Sequence, residues 1–165
     1  MRLSKLFEIK VAKSKGADDY EDGTIPFITN TTLNNGIVKF VKPFDDDKVF
    51  PGNTICVSGL GYATLQVNRY LPKGNGGDGA SVLVPINEMS IEELIYYTSL
   101  FNLQHRWRFS FGRKTSKSRI ENLELNNYTN EACNLTGEFK GYIDLIKKQL
   151  DYYSRLINID KASVS

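Results

Sequence analysis

Short apolar runs separated by turn-forming residues dominate the first half of the chain. Residues 3–11 predict an opening strand, and the polar stretch 12–24 after it shows no regular apolar period and includes Gly16 and Gly23. Unstructured loops beyond about 12 residues in a compact domain are usually functional or disordered, so this stretch reads as either a contact surface or a disordered loop. Ile25-Pro26-Phe27-Ile28 predicts a short buried strand. A polar run, Thr29-Asn30-Thr31-Thr32, and the turn Asn34-Asn35-Gly36 then lead into a strand over 37–41, because Asn-Gly between apolar runs is a strong turn signal. Phe50-Pro51-Gly52-Asn53 is a turn feeding a strand over 54–58. That strand ends at Gly59-Leu60-Gly61-Tyr62, and another is predicted over 63–70. The glycine-rich segment 73–79 forms a loop before a strand over 81–85, so this half is almost entirely β.

Helical signals begin at Ser90. Ser-Ile-Glu-Glu places an N-cap serine three residues before Glu93 in a capping-box arrangement, and Ile91, Leu94, Ile95, Thr98 and Phe101 share one face of the helix that follows. Residues 106–111 alternate cationic or polar with aromatic side chains, as a strand does, and Thr115-Ser116 precedes a short helix through Leu123. From Glu138 to Asn158 the positions Phe139, Ile143, Ile146, Leu150, Tyr153 and Ile157 recur at spacings of four and three, a narrow coiled-coil-like seam. Such a seam packs on a partner helix or back on its own domain, and the spacing leaves both open.

A chain of 165 residues with 41% hydrophobic content fits one compact domain with an appended helix. The N-terminus has no signal-peptide run, and no segment approaches the roughly 20 apolar residues needed to span a bilayer, which points to a cytoplasmic location without membrane contact. Cys56 and Cys133 are too few for a disulfide scaffold and have no CxxC or histidine cluster to suggest zinc, so both read as reduced. The sequons Asn127-Tyr128-Thr129 and Asn134-Leu135-Thr136 read as accidents of composition in such a chain. Net charge is only +2, but its distribution is uneven. Arg106, Arg108, Arg113, Lys114, Lys117 and Arg119 follow His105 with no acidic residue until Glu121.

The residues offer no catalytic constellation, metal site or cofactor motif. His105 is the only histidine and sits in the basic aromatic segment, where a strand or surface role is the simpler reading. Asp18-Asp19, Glu21-Asp22 and Asp45-Asp46-Asp47 lie in loop-like polar segments, with no lysine and carboxylate spacing typical of a metal-dependent nuclease. The glycines of 74–79 lack the lysine and hydroxyl of a phosphate-binding loop, and with Gly59 and Gly61 they read as positive-φ turns. The run from Arg106 to Lys114 is the most informative feature. As a strand it would set cations on one face and bury Trp107, Phe109 and Phe111 on the other. Cations placed this way release counterions on binding DNA, and arginine also reads guanine; a merely solvated basic face is the alternative.

Three segments occur together in order: Lys5-Leu6-Phe7-Glu8-Ile9-Lys10; Gly23-Thr24-Ile25-Pro26-Phe27-Ile28-Thr29 with Asn35-Gly36-Ile37; and Arg108-Phe109-Ser110-Phe111-Gly112-Arg113-Lys114 with Arg119 and Leu123. Ser58-Gly59-Leu60-Gly61 lies between the last two. Over about residues 3–128 this pattern resembles the target-recognition domain of type I restriction-modification specificity subunits, especially the type IIG and BcgI-like branch. The resemblance implies an α+β domain whose curved, mostly antiparallel sheet and loops read one short half of a bipartite site in double-stranded DNA. A separate methyltransferase supplies the chemistry. A full specificity subunit carries two recognition domains and two long spacer helices, so this chain looks like a half subunit. Its helix would pair with a symmetric copy or dock on the methyltransferase.

These readings place a DNA target-recognition domain at 1–130 and a C-terminal helix for packing or dimerisation at 131–165. Arg106, Arg108, Arg113, Lys114, Lys117 and Arg119 are expected phosphate contacts, and Thr29, Asn30, Thr31, Tyr62, Asn75 and Asp78 expected base-edge readers. No catalytic residue, metal or cofactor is expected. The competing readings are an adaptor that binds restriction-modification subunits without reading DNA, and a small metal-dependent nuclease.

Overall fold

The computed structural model describes residues 1–75, 77, 79–129 and 137–163, with backbone only at 137–140 and 159–163. Asp78, Cys133 and the sequon at Asn134, and the side chain of Phe139, lie outside the described residues. In chain order the elements are α1 (Leu3–Leu6), β1 (Phe7–Val11), β2 (Asp22–Ile28), β3 (Ile37–Val41), β4 (Thr54–Val57), β5 (Ala63–Gln66), β6 (Leu71–Pro72), β7 (Ser81–Pro85), α2 (Ile91–Gln104), α3 (Lys117–Glu121) and α4 (Gly137–Ser163).

The α+β class holds, but the strands form two sheets rather than one. Antiparallel pairing gives the order β1-β7-β4-β5, and a second sheet runs β3-β2-β6 with β2 and β6 parallel. The expected strand over 63–70 is divided between them: β5 ends at Gln66 and β6 joins the other sheet. Tyr70 anchors the crossing. Its ring is fully buried, its backbone pairs with Phe50, and its hydroxyl meets Thr54 Oγ1 at 3.0 Å. Cys56 lies in the same cluster, where burial pushes its thiol up to about 12 and keeps it protonated.

The opening strand is also shorter than its pattern suggests. Residues 3–6 form one helical turn because the terminus is held elsewhere: Leu125 N–H donates to the Met1 carbonyl and Leu3 N–H to that of Leu123. The polar stretch 12–24 is neither a free loop nor without regular structure. It carries a 3₁₀ turn, Ala17–Asp19, and buried Tyr20, whose hydroxyl accepts the Lys15 N–H and donates to Asp47. Burial raises the Tyr20 phenol to about 12, so it stays a donor.

Helix α2 begins at the predicted capping box. Ser90 Oγ accepts Glu93 N–H, and Glu93 returns a carboxylate oxygen to Ser90 N–H. It buries Leu94, Ile95, Thr98 and Phe101 on the four-stranded sheet, with Tyr97 added to the face read from the sequence. The seam of α4 turns inward: Ile143, Leu150 and Ile157 are buried, and Ile143 and Leu150 share a core cluster with Ile95 and Phe101. Asn68 Nδ2 donates to Ser154 Oγ, and Lys147 pairs with Glu92 across the α2–α4 contact. The described part of the seam therefore packs on its own domain.

Candidate nucleic-acid interface

Two grooves and one turn organise the polar surface. The first groove, about 430 Å³, is lined by Thr29, Asn30, Thr31 and Asn75 together with Gly16, Ala17, Phe27 and Lys73. Four expected base readers from two loops, 29–31 and the one holding Asn75, thus converge. Each has a hydrogen-bonding group committed to the loop or left over for a ligand. Thr29 Oγ1 accepts Thr31 N–H at 3.5 Å and Thr31 Oγ1 accepts Leu33 N–H at 3.2 Å, so both hydroxyls shape the turn and keep their protons for donation. Asn75 Oδ1 is buried and finds no hydrogen-bond partner in the described structure. An unpaired buried acceptor is costly, which marks it as a group that a donor arriving in the groove would satisfy.

Gly74 explains how Asn75 reaches this position. A Cβ at Gly74 would lie 2.6 Å from Lys13 N, so only glycine lets the loop press against the strand end. Gly74 N–H also donates to Ser14 Oγ at 2.7 Å. The positive-φ reading of the glycines holds at Gly61 and Gly77 but not at Gly59, Gly74 or Gly79, and Gly74 serves close approach instead.

The second groove, about 510 Å³, is lined by Leu60, Asn102, Leu103, Arg106, Trp107, Phe109, Ser110 and Phe111. Here the basic strand expected from alternation does not form. Arg106–Arg108 is a 3₁₀ turn, and Ser110 and Arg113 close a tight bridge beyond it. Local bonds replace a ladder: Arg108 N–H donates to the His105 carbonyl and Phe109 N–H to that of Arg106. A three-residue turn does not sort side chains by alternation. Phe109 alone is buried, its ring parallel to Phe101 at 6.5 Å, while Trp107 and Phe111 are 73% and 82% exposed.

Turn 58–62 joins the grooves. Gly59 N–H donates to Asn30 Oδ1 at 3.1 Å, the Gly59 carbonyl accepts Thr115 N–H at 2.9 Å, and Thr115 Oγ1 donates to the Ser58 carbonyl at 3.1 Å. Gly61 has φ of +82° and lies against Phe109, where a Cβ would stand 2.5 Å from the ring. The Arg106 guanidinium sits 4.8 Å over the Tyr62 ring. Ser58, Gly59 and Thr115 escaped sequence reasoning because their part is played by backbone groups and a buried hydroxyl. The Ser-Gly-Leu-Gly strand end was their only signal.

The cations occupy distinct roles. Arg106, Arg108, Arg113, Lys117 and Arg119 are exposed and Lys114 is half-buried. Arg119 also donates to the Lys114 carbonyl, bracing the entrance to α3, whose N-cap is Ser116. Arg108 Nε donates to His105 Nδ1 at 3.1 Å, and the opposite ring nitrogen, Nε2, lies 2.8 Å from the Glu124 carbonyl. This pair of contacts requires neutral histidine with its proton on Nε2. His105 is therefore a buried strut rather than the strand or surface side chain expected, and burial, assisted by the Arg108 charge, holds its pKa below the usual imidazole value. Among the described residues no group of three or more histidine, cysteine or carboxylate side chains is placed to hold a metal, and no helix is long and apolar enough to cross a membrane.

The fold is an α+β module of two sheets flanked by helices. Residues 1–127 match the family described as Type I restriction modification DNA specificity domain, and the chain belongs to that family. No curated protein sequence matches it. Among solved structures it is similar to the type I restriction-modification S subunit from M. genitalium, at 15% identity and a TM-score of 0.57. It is similar to the HsdS subunit from Thermoanaerobacter tengcongensis, at 17% and 0.58. A chain from structural work on complex assembly and conformational transition of the type I R-M system matches at 18% and 0.60. These cover 98%, 98% and 99% of this chain but only 44%, 42% and 41% of theirs, so it spans less than half their length.

Proposed function

We propose that this chain reads one short half of a bipartite DNA site for a restriction-modification methyltransferase, and carries out no chemistry itself. The joining of the two grooves through Gly59 carries the reading. One groove holds convergent hydroxyl and amide groups suited to base edges, the other is lined by Arg106 and belongs to the basic segment 106–119 suited to phosphates, and a single turn links the two. Residues 1–130 form the reading unit, and 131–165 carry the helix used for packing and pairing.

The outward face of α4 supports the pairing. Tyr142, Leu145, Tyr152 and Leu156 are exposed at spacings that follow a heptad around Gln149, on positions other than the buried Ile143, Leu150 and Ile157. This stripe receives the helix of a second recognition domain, supplied by a symmetric copy of this chain. A methyltransferase subunit acts as the further partner, and the site of action is cytoplasmic.

The test is selection of bound duplexes from a random library, by the protein alone and with a methyltransferase subunit, at stated salt. Enrichment of a short motif is expected, as an inverted repeat if two copies pair through α4. A folded protein that enriches no motif in either condition would overturn the reading.

A further inference from the structure

The geometry points to a second kind of DNA contact, resting on the DNA reading above: Trp107 and Phe111 form an aromatic wedge that stacks on a base displaced from the duplex. Large aromatic side chains are seldom left this exposed, at 73% and 82%, without a surface to cover. Leu103, 78% exposed, extends the same groove.

The indole is held in place rather than left loose. Trp107 Nε1 donates to the Gln104 carbonyl at 2.8 Å, the Arg108 guanidinium lies 4.7 Å over the ring, and Arg108 is fixed from below by His105. One ring face is thus occupied by a cation, while most of the indole remains exposed in the groove that Phe111 also lines. Charge selects the occupant. Arg108 lies over the indole, Arg106 lines the same groove as both rings, Arg113 follows Phe111 by two residues, and no acidic residue occurs in the sequence from His105 to Ile120. That rim suits a polyanion whose bases have π faces. Apolar side chains set among phosphate-binding cations open base steps in this way. The cost of unstacking falls where a pair is already weakened.

Trp107 is the only tryptophan of the chain, so its emission reports on the wedge alone. The probe is the duplex enriched by selection, fully paired and with a single T·T mismatch moved along it. Binding is expected to quench Trp107 emission, and one mismatch position to bind about tenfold more tightly than the paired duplex. Trp107→Phe retains that preference, and Trp107→Ala with Phe111→Ala abolishes it while thermal melting stays unchanged. Binding without quenching and without mismatch preference would overturn the wedge and leave the DNA reading intact. Quenching only on adding a methyltransferase subunit would also overturn it and reassign the patch to a protein contact. Binding to no duplex at all would overturn both.

Discussion

The side-chain carbonyl of Asn30 accepts the backbone N–H of Gly59, and the carbonyl of the same glycine accepts Thr115 from the basic segment. A residue proposed to read a base is thus also a brace for the turn that carries the proposed phosphate-binding side. The two duties separate by mutation. Thr115→Val removes only the hydroxyl bond to Ser58, and is expected to cost about 1 kcal/mol and lower affinity for every duplex alike. Asn30→Ala costs a similar amount but in addition broadens the enriched motif, because its free amide is lost. Thermal melting paired with duplex selection checks both.

Arg113 is exposed on the tight bridge beyond Phe111, and among the described residues its side chain makes no hydrogen bond or ion pair. Arg113→Ala should weaken binding to all sequences and reduce the slope of log affinity against log salt by about 1, the signature of one lost phosphate contact. Titrations at several salt concentrations give both quantities. An unchanged slope would remove Arg113 from the interface.

His105 sets a pH dependence whose sign follows from its burial. Its folded pKa is depressed below the usual 6.5, so the unfolded chain takes up a proton first as pH falls. Stability is therefore expected to decline from pH 6.5 downward, until the folded pKa is passed. Glu92, held low by its bond to Lys147, acts in the same direction only below its ordinary 4.5. Chemical denaturation of wild type and His105→Gln between those two values isolates the histidine. The variant should show the flatter profile.

The two faces of α4 predict opposite outcomes. Leu150→Ala empties a position that is 7% exposed in the core and should cost about 2–5 kcal/mol. Leu145→Asp, on the exposed face, should leave stability within about 0.5 kcal/mol and abolish self-association. Light scattering and thermal melting together distinguish them.

Much of the scaffold was legible because its signals are local. The Ser90 capping box, the Asn-Gly turn and the Ser116 cap all depend on neighbours within a few residues, and the structure places each where the sequence does. Long-range effects were not legible. The transfer of Leu71 to a second sheet depends on Tyr70 finding Thr54, and the helical turn at Leu3 on contacts near Leu123. At the site, Thr29, Asn30, Thr31 and Asn75 line one groove, whereas Tyr62 lies apart from it beneath Arg106. The alternation after His105 misled, since period two has meaning only where a neighbouring strand supplies the ladder. The family match covers the specificity domain as a whole and does not carry the narrower type IIG and BcgI-like placement.

The most direct test of sequence-specific recognition is equilibrium binding of the enriched duplex against a scrambled duplex of the same composition, across a range of salt. The enriched duplex should bind at least about a thousandfold more tightly at physiological salt, with both affinities falling as salt rises. Equal affinities at every salt concentration would contradict the account, leaving a cationic surface that holds DNA without reading it.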